Sequence, residues 1–269
     1  MIVDARYRSL LLLFGFVVAC TFVSASRWLI NGLIPFWAVC CYTMRLGERA
    51  PGVVGLAVIA ILLFGLGVLA SRLWKTHRFV SQLDSAAMTV PPARLAQILS
   101  EAGLTRHTVV LATDIPLAFC SGFLRPRLCL STGLANALNE RELKAVLWHE
   151  DYHRRHFDPL RGLLAEALAA TLFFLPVAAE LRDLFLTTIE LEADRHAARL
   201  VGRPPLAGAL HKLLTHPLAV RLPAVGVAGL SATEARVAAL LGDSSATPRL
   251  APHKLIASSA ILMLVCLLA

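Results

Sequence analysis

Three long apolar runs near the amino end constrain the fold of this chain more than any other feature. They cover residues 10–24, 28–44 and 53–73, and each is close to the length that a helix needs to cross a hydrocarbon core of about 30 Å. A fourth run, residues 255–269, is short for a span. Small residues at 23–25 would also suit a signal peptide, but the runs that follow at once favour a membrane span. A mean hydropathy of +0.67 with 16% charged residues agrees with a membrane protein.

The positive charge of the chain indicates which side of the membrane its long polar segment faces. The formal net charge is +8, and most Lys and Arg residues lie between positions 72 and 254. The basic stretch RLWKTHR at 72–78 follows the third run, which predicts a cytoplasmic segment and an outside amino terminus. If residues 28–44 are re-entrant, the amino terminus is inside as well. No basic stripe is interleaved with aromatic residues, so nucleic acid is not an expected partner, whereas anionic lipid is.

The polar segment, residues 79–254, predicts one compact domain that contains a small sheet. Short β-rich pieces occur at 107–112, 117–122 and 125–131, separated by turn residues. Asn139 then precedes NERELKAVLWHEDYHRR, and Glu142 can complete a capping box, which predicts a helix over 140–155. We therefore expect a mostly α integral-membrane protein with an α+β domain at 79–254, transmembrane helices within 1–78, and a last transmembrane segment at 255–269.

The sequence after this helix predicts a helical hairpin. Asp158 can cap a new helix and Pro159 suits its first position. The apolar run that follows is broken at Leu175 and Pro176, and a second helix is expected from 177 to 200. Such a return brings Glu190 back towards the 140–155 helix. Whether the hairpin, residues 159–200, enters the bilayer stays open.

The pentapeptide HEDYH at 149–153 has the spacing of a zinc site. His149 and His153 are four residues apart and share one face of a helix, so both imidazoles can reach one zinc ion. Glu150 lies beside them and can act as the general base that activates water. The alternative is a solvated helix face whose His and Glu residues pair with neighbours.

A third ligand is expected in ELEAD at 190–194. Glu190 and Asp194 are four residues apart, so one can bind the metal while the other accepts a hydrogen bond from a ligand imidazole. An ordinary charged helix is the alternative.

Several motifs together resemble one known family. They are AFCSGFLRPRLCLSTGL (118–134), ELKAVLWHEDYHRRHFDPL (142–160), FLP (174–176) and ELEAD. They resemble the membrane zinc metallopeptidases of the β-lactam sensor-transducer (BlaR/MecR-like) family and, more weakly, HtpX-type proteases. The resemblance covers roughly residues 70–240 and the amino-terminal spans. It implies a gluzincin site facing the cytoplasm, with His149, His153 and Glu190 as zinc ligands, Glu150 as base and Asp194 behind a ligand.

Two departures from the family pattern are visible. Asp151 and Tyr152 stand where small or apolar residues are usual, and Asp151 adds a carboxylate that we expect near the metal. No SxxK motif is present, so a β-lactam receptor role is not expected.

Other parts of the site can be assigned only as hypotheses. An extended peptide would add as a strand along the sheet edge formed by Ala118, Phe119, Cys120, Ser121 and Gly122. His196, His211 and Tyr152 are the candidate oxyanion donors. Arg236 is expected to anchor a structural helix rather than to touch substrate.

The sequence therefore predicts a multi-pass zinc endopeptidase of the cell membrane, for regulatory or quality-control proteolysis. Its expected partners are a protein or peptide substrate and membrane lipid, and a separate sensor or repressor protein and a homo-oligomer are compatible with this prediction. The alternatives are a signalling or interaction module with a degenerate zinc site, and a membrane scaffold or transporter with a coincidental HExxH.

Overall fold

The computed structural model describes residues 49–85, 87–88, 90–216, 230–242 and 250–268. This part of the chain is mostly helical and contains one small sheet, which confirms the predicted fold class at that level. The elements in chain order are α1 (Arg49–Ser85), α2 (Ala93–Glu101), a 3-10 turn (Thr105–His107), β1 (Thr108–Leu111), β2 (Ala118–Ser121), β3 (Arg127–Ser131), α3 (Thr132–Ala137), α4 (Glu140–Arg155), α5 (Asp158–Thr171), α6 (Pro176–Val201), α7 (Arg203–Thr215), α8 (Leu230–Leu240) and α9 (Pro252–Leu268).

The chain folds into two compact units, each described by itself. Among the described residues, the larger unit comprises those within 69–166 and 182–242, and the second comprises residues 49–68, 167–181 and 250–268. We call this second unit the apolar unit. The domain boundaries predicted at 78 and 254 stay predictions.

The sheet of the larger unit has three strands in the order β1-β3-β2. β1 runs parallel to β3, with Thr108 beside Leu128, and β2 runs antiparallel to β3, with Ala118 opposite Leu130. The outer side of β1 carries an isolated bridge between Ala87 and Leu111. No strand pairs with the outer side of β2 within the described residues, so β2 is an edge strand.

The core of the larger unit forms where α2 and α4 pack on the sheet. Leu95 and Leu99 of α2, Leu128 of β3, and Leu143 and Leu147 of α4 are fully or almost fully buried in one cluster. Both leucine pairs are four residues apart, so each lies on one face of its helix. Packing this face of α4 against the core fixes the rotation of the helix about its axis.

The start of α4 is held by the predicted capping box. The side chain of Asn139 accepts a hydrogen bond from the backbone N–H of Glu142 at 2.9 Å, and Glu142 Oε2 accepts one from the backbone N–H of Asn139 at 2.8 Å. Lys212 Nζ of α7 also donates to Glu142 Oε2 at 2.7 Å. The same carboxylate therefore caps α4 and ties it to α7.

A sharp reversal separates α4 from α5. Phe157 has a φ of 55°, a left-handed conformation that is uncommon for a residue other than glycine. α5 begins at the next residue, Asp158, as the sequence predicts to within one position. This turn sets the carboxylate of Asp158 beside the end of α4.

The apolar unit has a small core of its own. Leu175 and Ala178, at the hairpin turn and the start of α6, pack against Leu262 of α9. The backbone N–H of Val177 donates to Ser258 Oγ of α9 at 3.1 Å. The predicted break at Leu175 and Pro176 is confirmed, because α5 ends at Thr171 and α6 starts at Pro176.

One helix in the described residues is long and apolar enough to cross a membrane, by length and composition. It is residues Ile59–Ser81 of α1, most of whose large apolar side chains are exposed. This segment overlaps the third predicted run, whereas the first two runs lie outside the described residues. The apolar part of α9, Pro252–Leu264, is shorter.

Candidate metal centre

Two helices bring the three predicted ligands together. His149 and His153 of α4 have their Nε2 atoms 3.1 Å apart. From α6, Glu190 Oε2 lies 3.4 Å from His149 Nε2, and Glu190 Oε1 lies 3.6 Å from His153 Nε2. One nitrogen or oxygen atom of each residue lies within 4.8 Å of the others. Two imidazole nitrogens and a carboxylate are a donor set that zinc takes in hydrolases, where a fourth position stays open.

Each histidine has a carboxylate on its other ring nitrogen. His149 Nδ1 lies 2.8 Å from Asp194 Oδ1, a close electrostatic contact that is not well aligned as a hydrogen bond. His153 Nδ1 hydrogen-bonds Asp158 Oδ2 at 2.9 Å. A carboxylate at Nδ1 favours the tautomer with the proton on that nitrogen, which leaves the Nε2 lone pair free to bind a cation.

Asp158 is the residue of this arrangement that sequence reasoning missed. Its position after a helix and before Pro159 is typical of an N-cap, and that explanation was sufficient. The sequence did carry a relevant signal. If the chain reverses directly after α4, the first residues of the next helix pass close to His153. Asp158 is 6% exposed and also accepts a hydrogen bond from Arg161 at 2.6 Å, so its charge is compensated.

Arg236 of α8 lies at the centre as well. Its Nε and Nη2 donate to the two oxygens of Asp194 at 2.7 and 2.8 Å, and Nη1 lies 3.2 Å from Glu190 Oε2. The expectation of a purely structural helix is thus incomplete, because Arg236 joins α8 to two acidic residues of the site. Arg236 and Asp194 are 42 positions apart in the sequence, so no local pattern predicts the contact between them.

The electrostatics of the centre favour a bound cation. Burial opposes ionisation of Glu190, but His149, His153 and Arg236 outweigh it and hold its pKa well below the usual range. Burial and the charge of Arg236 oppose protonation of His149, but Asp194 and Glu190 outweigh both and raise the pKa of His149 to about 9. The acidic side chains therefore stabilise positive charge between the ligand atoms, and a divalent metal ion would supply that charge.

Glu150 lines a cleft next to the three ligand candidates. This cleft of about 720 Å³ is also lined by His149, His153 and Glu190 and by β2. Burial, and then the nearby charge of Glu150, raise the pKa of the Cys120 thiol. Cys120 is therefore a neutral thiol at ordinary pH and not a nucleophile. Glu150 directly follows His149, as the glutamate of an HExxH motif does, and it lines the cleft, so it is the candidate for the general base.

The predicted substrate strand forms one wall of this cleft. All of the residues 118–122 line it. Ser131 N donates to Leu117 O at 3.0 Å, so Leu117 and Ser131 are a hydrogen-bonded pair of the antiparallel ladder. Hydrogen-bonded and non-hydrogen-bonded pairs alternate along such a ladder. The backbone N–H and C=O groups of Ala118 and Cys120 therefore point away from β3, towards the open edge. An extended peptide could pair with those groups.

The three candidate oxyanion donors do not line the cleft. The Tyr152 ring stacks on His156 at a centroid distance of 3.9 Å and lies 5.5 Å from the ring of His196. His211 lies on an exposed part of α7. Of the three, Tyr152 contacts a ligand candidate, through an edge contact with the ring of His153 at a centroid distance of 6.3 Å. An oxyanion role for any of the three stays a prediction.

Asp151 does not join the centre, contrary to the expectation of an added carboxylate near the metal. Its side chain is completely buried and accepts hydrogen bonds from Arg154 and Arg155. It is not among the three residues whose donor atoms converge. Helix geometry explains this, because Asp151 is two residues from His149 and points to a different face.

A family profile and several known proteases match this chain. The sequence profile of the family described as BlaR1 peptidase M56 matches residues 49–205. The protease HtpX homologue of Methylibium petroleiphilum is 25% identical over 228 residues, 70% of this chain and 80% of that protein. The homologue of Ralstonia nicotianae is 30% identical over 203 residues, 60% of this chain and 70% of that protein.

A third relative spans a shorter region. The protease HtpX homologue of Methanothermobacter thermautotrophicus is 30% identical over 149 residues, 45% of this chain and 58% of that protein. The family match covers more than half of the chain, including both helices that carry the ligand candidates. The chain therefore belongs to the BlaR1 peptidase M56 family of metalloproteases and is similar to HtpX proteases.

Proposed function

We propose that this peptidase is a zinc-dependent endopeptidase of the cell membrane, with His149, His153 and Glu190 as ligands. The observation that carries the proposal is the convergence of these three donor atoms in the cleft that Glu150 and the edge strand β2 also line. When bound, zinc would supply Lewis acidity, which polarises a peptide carbonyl and makes water a stronger nucleophile.

The residues around the ligands would orient them. Asp194 and Asp158 lie at the Nδ1 atoms of His149 and His153 and so hold each ring in one orientation and one tautomer. Arg236 holds Asp194 through two hydrogen bonds. Asp158, Asp194 and Arg236 thus hold the ligands in place and do not themselves react.

Glu150 would move the proton of the reaction. As general base it accepts a proton from the water that attacks the scissile carbonyl, and as general acid it returns that proton to the leaving amine. A peptide paired with the open edge of β2 would run past Glu150 along one wall of the cleft. The substrate is thus proposed to be an extended segment of a protein, which fits an endopeptidase.

The membrane location is part of the proposal. The segment Ile59–Ser81 of α1 and the apolar runs at 10–24 and 28–44 support a multi-pass protein. The basic residues at 72–78 support a catalytic domain, residues 79–254, on the cytoplasmic side, with a last span at 255–269. Regulatory or quality-control proteolysis is the biological role proposed for such a site. A sensor or repressor protein and a second copy of the chain are further proposed partners.

Metal removal and restoration test the proposal. Detergent-purified protein should contain about one zinc per chain, as expected for a site of three protein ligands, and should cleave an unfolded test protein. Chelation should stop cleavage, and added zinc should restore it. Zinc without cleavage would instead favour a signalling or interaction module with a latent site. Absence of zinc would contradict the assignment of the ligands.

A further inference from the structure

The apolar unit exposes many large apolar side chains. They occur on all three of its segments and are each more than half exposed among the described residues: Leu62, Leu63, Phe64 and Leu66 of α1, Leu168 and Phe173 of the hairpin, and Ile256, Met263 and Leu264 of α9. Scattered single apolar residues are normal on protein surfaces. Nine such residues on three segments that contact one another are more than scattered exposure, and they indicate an apolar partner.

The tip of the hairpin, residues 167–179, is an uncharged stretch. Glu166 and Glu180 flank the stretch ALAATLFFLPVAA, which contains no charged side chain. Glu180 pairs with Lys254 at the start of α9 at 2.7 Å, and Ala251 N donates to the same carboxylate at 3.3 Å. The ion pair and this backbone hydrogen bond therefore both lie at the start of α9.

The hairpin tip then runs along α9 away from that polar end. Val177 is bonded to Ser258, four residues beyond Lys254, and Leu175 packs against Leu262, eight residues beyond it. At a rise of 1.5 Å per residue the tip reaches about 12 Å along α9 from the ion pair. That distance is less than half of a hydrocarbon core of about 30 Å.

The tip also lies against the apolar run of α1. Phe173 makes an edge contact with Phe64 at a centroid distance of 6.1 Å. A Cβ atom at Gly65 would come within 2.4 Å of Thr171 Oγ1, so the two segments approach closely there. Thr171 Oγ1 donates to Ala167 O at 2.7 Å, which satisfies its hydroxyl within the helix. The tip therefore presents apolar groups beside the candidate span.

We propose that residues 167–179 form a half-crossing hairpin, which enters the bilayer from the side of the Glu180–Lys254 ion pair and turns within the hydrocarbon. The tip shares its exposed apolar surface with residues 62–66 of α1, so the same lipid would cover both. Two buried backbone N–H groups at the turn have partners, as hydrocarbon requires, since Leu175 N donates to Leu172 O at 2.9 Å and Val177 N donates to Ser258 Oγ at 3.1 Å. The inference depends on the membrane location proposed above.

Photolabelling by lipid tests this inference on the wild-type protein. The full chain would be reconstituted into phosphatidylcholine and phosphatidylglycerol vesicles that contain a phospholipid with a diazirine in the middle of its acyl chain. After illumination, mass spectrometry would locate lipid adducts. The peptide that contains Leu124 is the control, because Leu124 of the larger unit is 81% exposed and apolar yet is not in the apolar unit.

Labels on residues 62–66 and on Leu168 or Phe173, with background labelling at Leu124, are the expected result. Labels on 62–66 with background labelling of the tip would overturn the half-crossing hairpin while leaving the membrane span in place. Background labelling of both would overturn the hairpin and the membrane part of the proposed function together. A headgroup-linked diazirine should label residues near Glu180 but not Phe173, and strong labelling of Phe173 by it would also overturn the proposed depth.

Discussion

Asp158 accepts a hydrogen bond from His153 Nδ1 at 2.9 Å, although the two residues belong to different helices. The left-handed turn at Phe157 makes this contact, because it reverses the chain directly after α4. Together with the contact between Asp194 and His149, it gives each ligand candidate on α4 an acidic partner. The centre is thus supported from α5 and α6, and that support can be tested residue by residue.

Replacing Asp158 should weaken zinc binding. Asp158→Asn removes the negative charge that favours the Nδ1 proton of His153, and loss of such a partner typically costs about 10–100-fold in metal affinity. Competition with a chromophoric chelator measures the affinity. Asp183→Asn is the matched control, since Asp183 is exposed and pairs only with its neighbour Arg182 among the described residues. An Asp158→Asn affinity equal to that of the control would contradict the support role.

Removing Arg236 should destabilise the folded chain. Arg236→Gln leaves the buried carboxylate of Asp194 without its two hydrogen bonds, and breaking a buried pair in this way costs about 3–5 kcal/mol. Thermal unfolding in detergent would report the loss as a lower midpoint. Arg195→Gln is the control, because Arg195 makes an exposed ion pair with Glu192 at 2.6 Å. Equal unfolding midpoints for the two variants would contradict a supporting role of Arg236 at the centre.

A proline in the edge strand should reduce cleavage without loss of metal. In the ladder pattern the N–H of Ala118 points to the open edge, so Ala118→Pro removes a donor for a substrate strand while sparing the bonds to β3. Ala118→Val keeps the donor and serves as the control. Proline at Gly122 is unsuitable, because the φ of 95° there is incompatible with its ring. Cleavage by Ala118→Pro at the wild-type rate, with normal zinc, would contradict strand addition at β2.

Metal removal should lower the thermal stability of the protein even in the absence of substrate. A ligand that binds only the folded state stabilises it by about 4 kcal/mol at a thousandfold excess over its Kd. Chelation should therefore lower the unfolding midpoint, and added zinc should raise it again. Glu190→Gln, which weakens one ligand, should reduce this zinc-dependent shift. A midpoint that is insensitive to both chelator and zinc would show that the three donors do not form a metal site.

Local patterns predicted the elements of the site well, because they depend on short-range geometry. The capping box of Asn139 and Glu142, the spacing of His149 and His153, and the break at Pro176 are each properties of a few adjacent residues. The return of Glu190 to the centre follows from the lengths of the two hairpin helices. Family membership followed from the order of these motifs and is confirmed.

Long-range contacts could not be read from the sequence. Arg236 reaches Asp194 from a separate helix, and a basic residue on a helix face gives no indication of its partner. Asp158 had a sufficient local explanation as a helix cap, so its second contact was missed. Asp151 was expected near the metal because it is adjacent to Glu150 in sequence, whereas its own pairing with Arg154 and Arg155 directs it elsewhere. The short helix α3 and the pairing order of the strands also lacked a local signal.

The most direct test of the central claim compares Glu150→Gln with wild type and with Glu192→Gln, an exposed glutamate on α6. Zinc content and the rate of cleavage of an unfolded test protein would be measured on the three purified proteins. The account predicts equal zinc in all three and a cleavage rate lower by about 10²–10⁴-fold in Glu150→Gln alone. Cleavage by Glu150→Gln at the wild-type rate, with zinc bound, would contradict it.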